Sequence, residues 1–228
     1  MEKKEEKFFF DHIKKHLFTA VVGDIMDQLG YQNQFLNPKI KPLREDMIVI
    51  GRAMPVLEAD TLDNTTTSSN VALSKPFGLM LEALDQLQEN EIYLCTGGSP
   101  TYALWGELMS TRAIQCGATG AVLNGYSRDT RGILKLNFPT FSYGTFSQDQ
   151  APRGKVIDYR VPIQIDNVKI SPGDIVFGDI DGVCIIPQKI EKKVITLANE
   201  KVNGENLVRQ SIEAGMSSAE AFNKYGIM

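Results

Sequence analysis

The residues best placed to do chemistry lie in GELMSTRAIQCGATGAVLNGYSRD, Gly106 to Asp129: an acid, Glu107, and after twenty residues the adjacent pair Arg128 and Asp129. Glu107 and Asp129 offer hard carboxylate oxygens that suit Mg2+ or Mn2+, directly or through water. Arg128 offers a planar fork of donors for a carboxylate or a developing enolate oxygen. If a helix begins at Gly106, the first amides, those of Glu107, Leu108 and Met109, have no internal partners and attract an anion. Gly106 lets that anion come close. Such a set can take a 2-oxo acid by its carboxylate and keto oxygens and stabilise the enolate formed when a neighbouring carbon–carbon bond breaks. Each residue alone also has a plain structural reading. An acid at a helix start complements the dipole, and Arg-Asp after a strand is often a surface ion pair.

The elements that position these groups read as a helix over 106–116 and a strand over 120–125. The helix advances ~15 Å at ~1.5 Å per residue. The strand returns about as far at ~3.3 Å per residue, with Gly117 and Gly120 bracketing the reversal. Glu107 and the Arg128-Asp129 pair are therefore expected at one edge of a sheet.

The rest of the chain supplies that sheet. Helices are expected over Phe8–Leu17 and Thr19–Leu29, with Thr19 as N-cap and Gly30 as stop. A strand follows over Met47–Ala59, a loop over Thr61–Asn70, and a helix over Pro76–Leu87 with Pro in its first turn. Strands are expected at Ile92–Cys95, Phe138–Gly144, Lys155–Ile165 and Val168–Ile170, then a pair in IVFG and GVCIIP joined by DID. The C-terminus reads as helices over Gln188–Val202, Glu205–Ala214 and Ser217–Tyr225. Helices at both termini around a strand-rich middle argue for one mixed, layered α/β domain, with a core over about residues 18–187, rather than a doubly wound parallel sheet.

Other chemistries find little support. The only histidines, His12 and His16, have i, i+4 spacing but no evident third metal ligand. No GxSxG occurs for a hydrolase. No lysine lies between Lys75 and Lys135, so the segment offers no Schiff-base amine. Cys95, Cys116 and Cys184 form no CxxC and read as buried reduced thiols. Asp174, Asp179 and Asp181 sit in PGD and DIDG, which is turn chemistry. Trp105, the sole tryptophan, reads as core packing. A net charge of −4 argues against a nucleic-acid surface. No apolar run reaches membrane-spanning length and the N-terminus MEKKEEKFFFDH is a poor signal peptide, so a cytoplasmic location is expected.

An acid, twenty residues, then Arg-Asp resembles the mark of the RraA-like, or 4-hydroxy-4-methyl-2-oxoglutarate aldolase, family. The likeness extends to GDIMDQLG, to the whole of WGELMSTRAIQCGATGAVLNGYSRD, to FPTFSYG, VPIQI and PGDIVFGDIDGVCIIP in order, and to the tail KYGIM. The resemblance implies a β/β/α swivelling-domain fold assembled as a homotrimer or hexamer, and a class II aldolase using Mg2+ or another divalent metal. It implies that Gly106 through Met109 hold the substrate carboxylate, that Arg128 binds the keto oxygen, and that Asp129 ligates the metal. Glu107 stands where many relatives carry Asp and would position a water that shuttles the proton. Oxaloacetate decarboxylation would be a related activity. The same family holds non-catalytic members that inhibit a ribonuclease. Relatives are also labelled demethylmenaquinone methyltransferase, but no strand here leads into a GxGxG-type turn for S-adenosylmethionine.

Overall fold

The computed structural model describes residues 3–62 and 69–227. Most of the loop expected at Thr61–Asn70 therefore lies outside the described residues. In chain order come α1 (Lys3–His16), α2 (Thr19–Gln28), β1 (Lys41–Pro42), β2 (Val49–Asp60), α3 (Met80–Asp85) and β3 (Glu91–Thr96). Then follow β4 (Ala103–Trp105), α4 (Glu107–Gln115), β5 (Gly120–Leu123), β6 (Tyr126–Ser127), α5 (Thr130–Leu136) and β7 (Thr140–Ser142). The chain closes with β8 (Gly154–Tyr159), β9 (Ile163–Ile165), β10 (Val168–Ile170), β11 (Ile175–Gly178), β12 (Val183–Ile186), α6 (Glu191–Glu213) and α7 (Ser218–Tyr225).

The main sheet runs β1-β7-β5-β3-β2-β11-β12, with β8 also paired to β2. Its middle, β2, β3, β5 and β7, is parallel, and the flanking pairs are antiparallel. Parallel neighbours need crossovers, and α3, α4 and α5 lie on these connections. Side-chain alternation divides the layers. Met54, Val56, Tyr93, Cys95, Ala121 and Leu123 pack under α3, α4 and α5. Ala53, Ile92, Leu94 and Val122 face the β9–β10 hairpin instead. Ile50, Ile175, Phe177 and Cys184 pack against α1, α2 and α6. This is the mixed, layered α/β fold expected, with helices at both ends.

Local differences have physical causes. Thr19 does not cap its own helix. Phe18 is the N-cap, and the Thr19 amide and hydroxyl donate to the Asp179 carboxylate at 2.8 and 2.7 Å. The helix expected from Pro76 begins only at Met80, because Gly78 takes φ +65° and packs on the Val156 backbone. The strand expected over Lys155–Ile165 breaks at Arg160, which has φ +57° and forks onto Glu91 at 2.6 and 2.8 Å. The two helices expected on either side of Gly204 are one, α6. Gly204 does not break it; a Cβ there would lie 2.4 Å from Ile227 Cδ1, so the glycine makes room for the C-terminal tail.

Candidate active site

The helix–strand unit forms as expected, but the two ends meet for a further reason. After β5 the chain leaves the main sheet and enters β6, which pairs in parallel with β4 through Ala103 with Tyr126 and Trp105 with Ser127. The Arg128 amide then donates to the Trp105 carbonyl at 2.9 Å. Gly106 and Arg128-Asp129 each follow one strand of this ladder, so the register sets them side by side. Neither β4, β6 nor α5 was expected from the sequence.

Gly106 is the N-cap of α4 and offers no side-chain oxygen to the first amides. Its backbone is extended, at φ −151°, so conformation does not demand glycine. Space does, since a Cβ would lie 2.6 Å from Asp129 Oδ2. Asp129 takes a left-handed φ of 55° as N-cap of α5, a conformation that Asp and Asn tolerate better than most residues. Arg128 lies 3.3 Å from the Asp149 carboxylate and 3.8 Å from that of Asp129. Asp149 sits on the loop after β7, whose path is tied to β6 by the Phe146 amide donating to the Ser127 carbonyl at 2.8 Å.

Asp129 lines three depressions, and beside the one shared with Arg128, Thr145 and Phe146, two bear on the site. One is a cavity of about 440 Å3 that runs from Gly106, Arg128 and Asp129 to Phe77, Met80, Leu84, Leu108 and Met109. The other holds Glu107 with Thr130, Arg131, Gly132 and Lys135. The Glu107 carboxylate lies over Gly132, where a Cβ would come within 2.2 Å of it. The structure thus sets Arg128 and Asp129 beside Gly106, while Glu107 lines a separate depression that it shares with Asp129 and not with Arg128.

Among the described residues no three His, Cys, Asp or Glu side chains converge as a metal cage. A zinc site would need three or four such ligands. Mg2+ keeps several waters and takes one or two carboxylates, so the donors here fit a magnesium-class ion. His12 is occupied elsewhere, hydrogen-bonded to Asn199 at 2.8 Å. Asp174 and Asp179 accept hydrogen bonds from backbone amides, as turn residues do. Trp105 is buried, donates to Ser110 at 2.7 Å and packs on Tyr93.

Sequence reasoning missed Glu58. It shares a strand face with Met54 and Val56, at a β-bulge that offsets β2 from β8. It is 3% exposed, and one carboxylate oxygen, Oε1, has no partner. Burial pushes its pKa up to about 7, against smaller opposing contributions from Tyr102, Cys95 and Gln150. The same burial pushes the Cys95 thiol and the Tyr93 hydroxyl up. An acid at the core-facing position of an apolar strand was the available signal. Asp149 and Gln150 lie in a stretch without periodicity and gave none.

The sheet order, the helices at both ends and the crossover-built site place the molecule in the layered β/β/α swivelling class. Residues 19–185 match the RraA-like family, described as Aldolase/RraA, and the chain belongs to that family. It is 30% identical over 205 residues to a "Putative 4-hydroxy-4-methyl-2-oxoglutarate aldolase" of Halalkalibacterium halodurans, covering 90% of this chain and 89% of the relative. It is 26% identical over 208 residues to the protein DlpA of Legionella pneumophila, covering 91% of this chain but spanning only 32% of DlpA. A crystal structure of an uncharacterized Pseudomonas syringae protein superposes with a TM-score of 0.82 at 25% identity, covering 96% of this chain and 94% of that one. Among the described residues no helix is long and apolar enough to cross a membrane.

Proposed function

We propose that this protein is a divalent-metal-dependent lyase that cleaves a 2-oxo acid by a retro-aldol reaction, releasing pyruvate, and that it decarboxylates oxaloacetate-like acids by the same chemistry. One observation carries the reading: Arg128 and Asp129 stand against the glycine-capped start of α4. The amides of Glu107, Leu108 and Met109, together with the helix dipole, hold the substrate carboxylate. Arg128, steadied by Asp149, donates to the keto oxygen and follows it as it becomes an enolate oxygen. Asp129 would hold the metal, and Glu107, which lines one depression with Asp129, would orient water there. Bound there, a divalent ion supplies positive charge that draws electrons toward the keto oxygen.

The bond change needs a proton taken from the C4 hydroxyl as the C3–C4 bond breaks, and a proton returned to C3 of the pyruvate enolate. A water oriented by Glu107 beside Asp129 would carry that proton between the two events. The working assembly is a homo-oligomer, a trimer or hexamer, in which an acid of a neighbouring copy can join the site.

The test is a coupled lactate dehydrogenase assay over a panel of 4-hydroxy-2-oxo acids and oxaloacetate, with Mg2+ and with EDTA. Arg128→Ala and Asp129→Asn are expected to lose metal-dependent pyruvate release while keeping the wild-type circular dichroism. Full activity in either variant, or undiminished activity in EDTA, refutes the assignment. Membership of the RraA-like family, whose non-catalytic members inhibit a ribonuclease, gives a second reading, an inhibitor acting by protein contact. Capture of an endoribonuclease without turnover of any 2-oxo acid would select it.

A further inference from the structure

We infer that the substrate's tail is apolar: beyond its 2-oxo acid head, the preferred compound carries an aliphatic or aromatic chain rather than a second carboxylate. This deepens the lyase reading and rests on it for the position of the head. The cavity at Gly106, Arg128 and Asp129 is about 440 Å3 in volume, and its apolar wall is made by Phe77, α3 and the first turn of α4. That wall presents Phe77, Met80, Leu81, Leu84, Leu108 and Met109. Leu81 is 53% and Leu108 83% exposed, so both offer apolar surface to a bound molecule. Exposed apolar surface gathered beside a polar site marks a place where apolar matter is bound.

The charges point the same way. Besides Arg128, the cavity is lined by one other cation, Arg112, and its guanidinium is already hydrogen-bonded to Asp85 at 2.7 Å. Arg128 is met by Asp149 and Asp129. Three acids thus line the cavity against two arginines, and both arginines have partners. A distal carboxylate would meet three acids and two arginines that each already face a carboxylate, whereas a branched alkyl or phenyl tail would find six apolar side chains. In pockets of this kind each methylene discriminates by roughly 10- to 200-fold.

Two measurements test this. In the first, pyruvate release is compared for two synthetic 4-hydroxy-2-oxo acids with the same head, one ending in an isobutyl group and one in a carboxylate. The apolar compound is expected to have a kcat/KM higher by ~10-fold or more. Leu81→Lys, a substitution at an exposed position, is expected to keep the fold and to reverse that order. Equal turnover, or preference for the diacid by the wild type, overturns the inference and leaves the lyase reading standing. If neither compound is cleaved, the lyase reading fails by itself. The cavity is then judged by calorimetric titration with 4-methyl-2-oxopentanoate and 2-oxoglutarate, neither of which can undergo the cleavage. Tighter binding of the first by ~10-fold supports the inference, and equal or weaker binding overturns it.

Discussion

Replacing Glu58 by Gln separates the cost of a buried charge from the shape of the side chain. Glu58 is 3% exposed, and burial pushes its pKa from the ordinary 4.5 up to about 7. Between those two values the folded chain holds a proton that the unfolded chain has lost, so stability falls as pH rises through this window and the loss is complete above about 7. At 1.36 kcal/mol per pH unit, the penalty at pH 8 is roughly 3 kcal/mol. Glu58→Gln keeps the length and the oxygen but cannot ionise. Urea unfolding of both proteins from pH 5 to 8.5 should show similar midpoints at pH 5. Above pH 7 the variant should gain roughly 3 kcal/mol over the wild type. A difference that does not change with pH would show that the Glu58 carboxyl does not titrate in that window, and the account of its burial would be wrong.

Gly132→Ala places a methyl where the Glu107 carboxylate now lies. Pyruvate release should fall roughly 10- to 100-fold, while the melting temperature holds, because Ala suits a helix better than Gly by about 1 kcal/mol. Thr19→Val removes the hydroxyl that donates to Asp179 at 2.7 Å. It should cost roughly 1–2 kcal/mol in urea unfolding and leave activity unchanged. Cys95 and Cys184 are buried, and burial pushes both thiols up, while Cys116 is partly exposed. A thiol reagent should modify one cysteine in the native protein and three after unfolding.

The strands of the main sheet were legible because their side chains alternate or run apolar, as in Ile92–Cys95 and Ile175–Gly178. The helix start at Gly106 and the Arg128-Asp129 pair were expected to be neighbours because a helix and a returning strand of equal reach separate them, and the structure does set them side by side. The ladder that joins them was not expected. β4 has three residues and β6 has two, too few for any period to show. Helix α5 opens on a left-handed Asp129, carries Gly132 and ends at a left-handed Asn137, so its local sequence advertises turns. Glycines misled in both directions. Gly78 shortened an expected helix by turning against β8, and Gly204 left one intact by making room for a side chain. In each case the deciding contact comes from a distant part of the chain.

Trp105 and Ser127 are register partners, and the reactive groups begin one residue beyond each. Inheritance should therefore act unevenly along this span. Residues gained in the turn after Gly117 lengthen a detour whose two ends are already pinned, and descendants can carry them without moving the reactive groups. A single residue gained or lost between Trp105 and Glu107, or between Ser127 and Asp129, exchanges the side chain that meets the cavity for its neighbour. The twenty-residue interval between Glu107 and Arg128-Asp129 is then a by-product of an economical detour, and a chain with a longer one could keep the same chemistry.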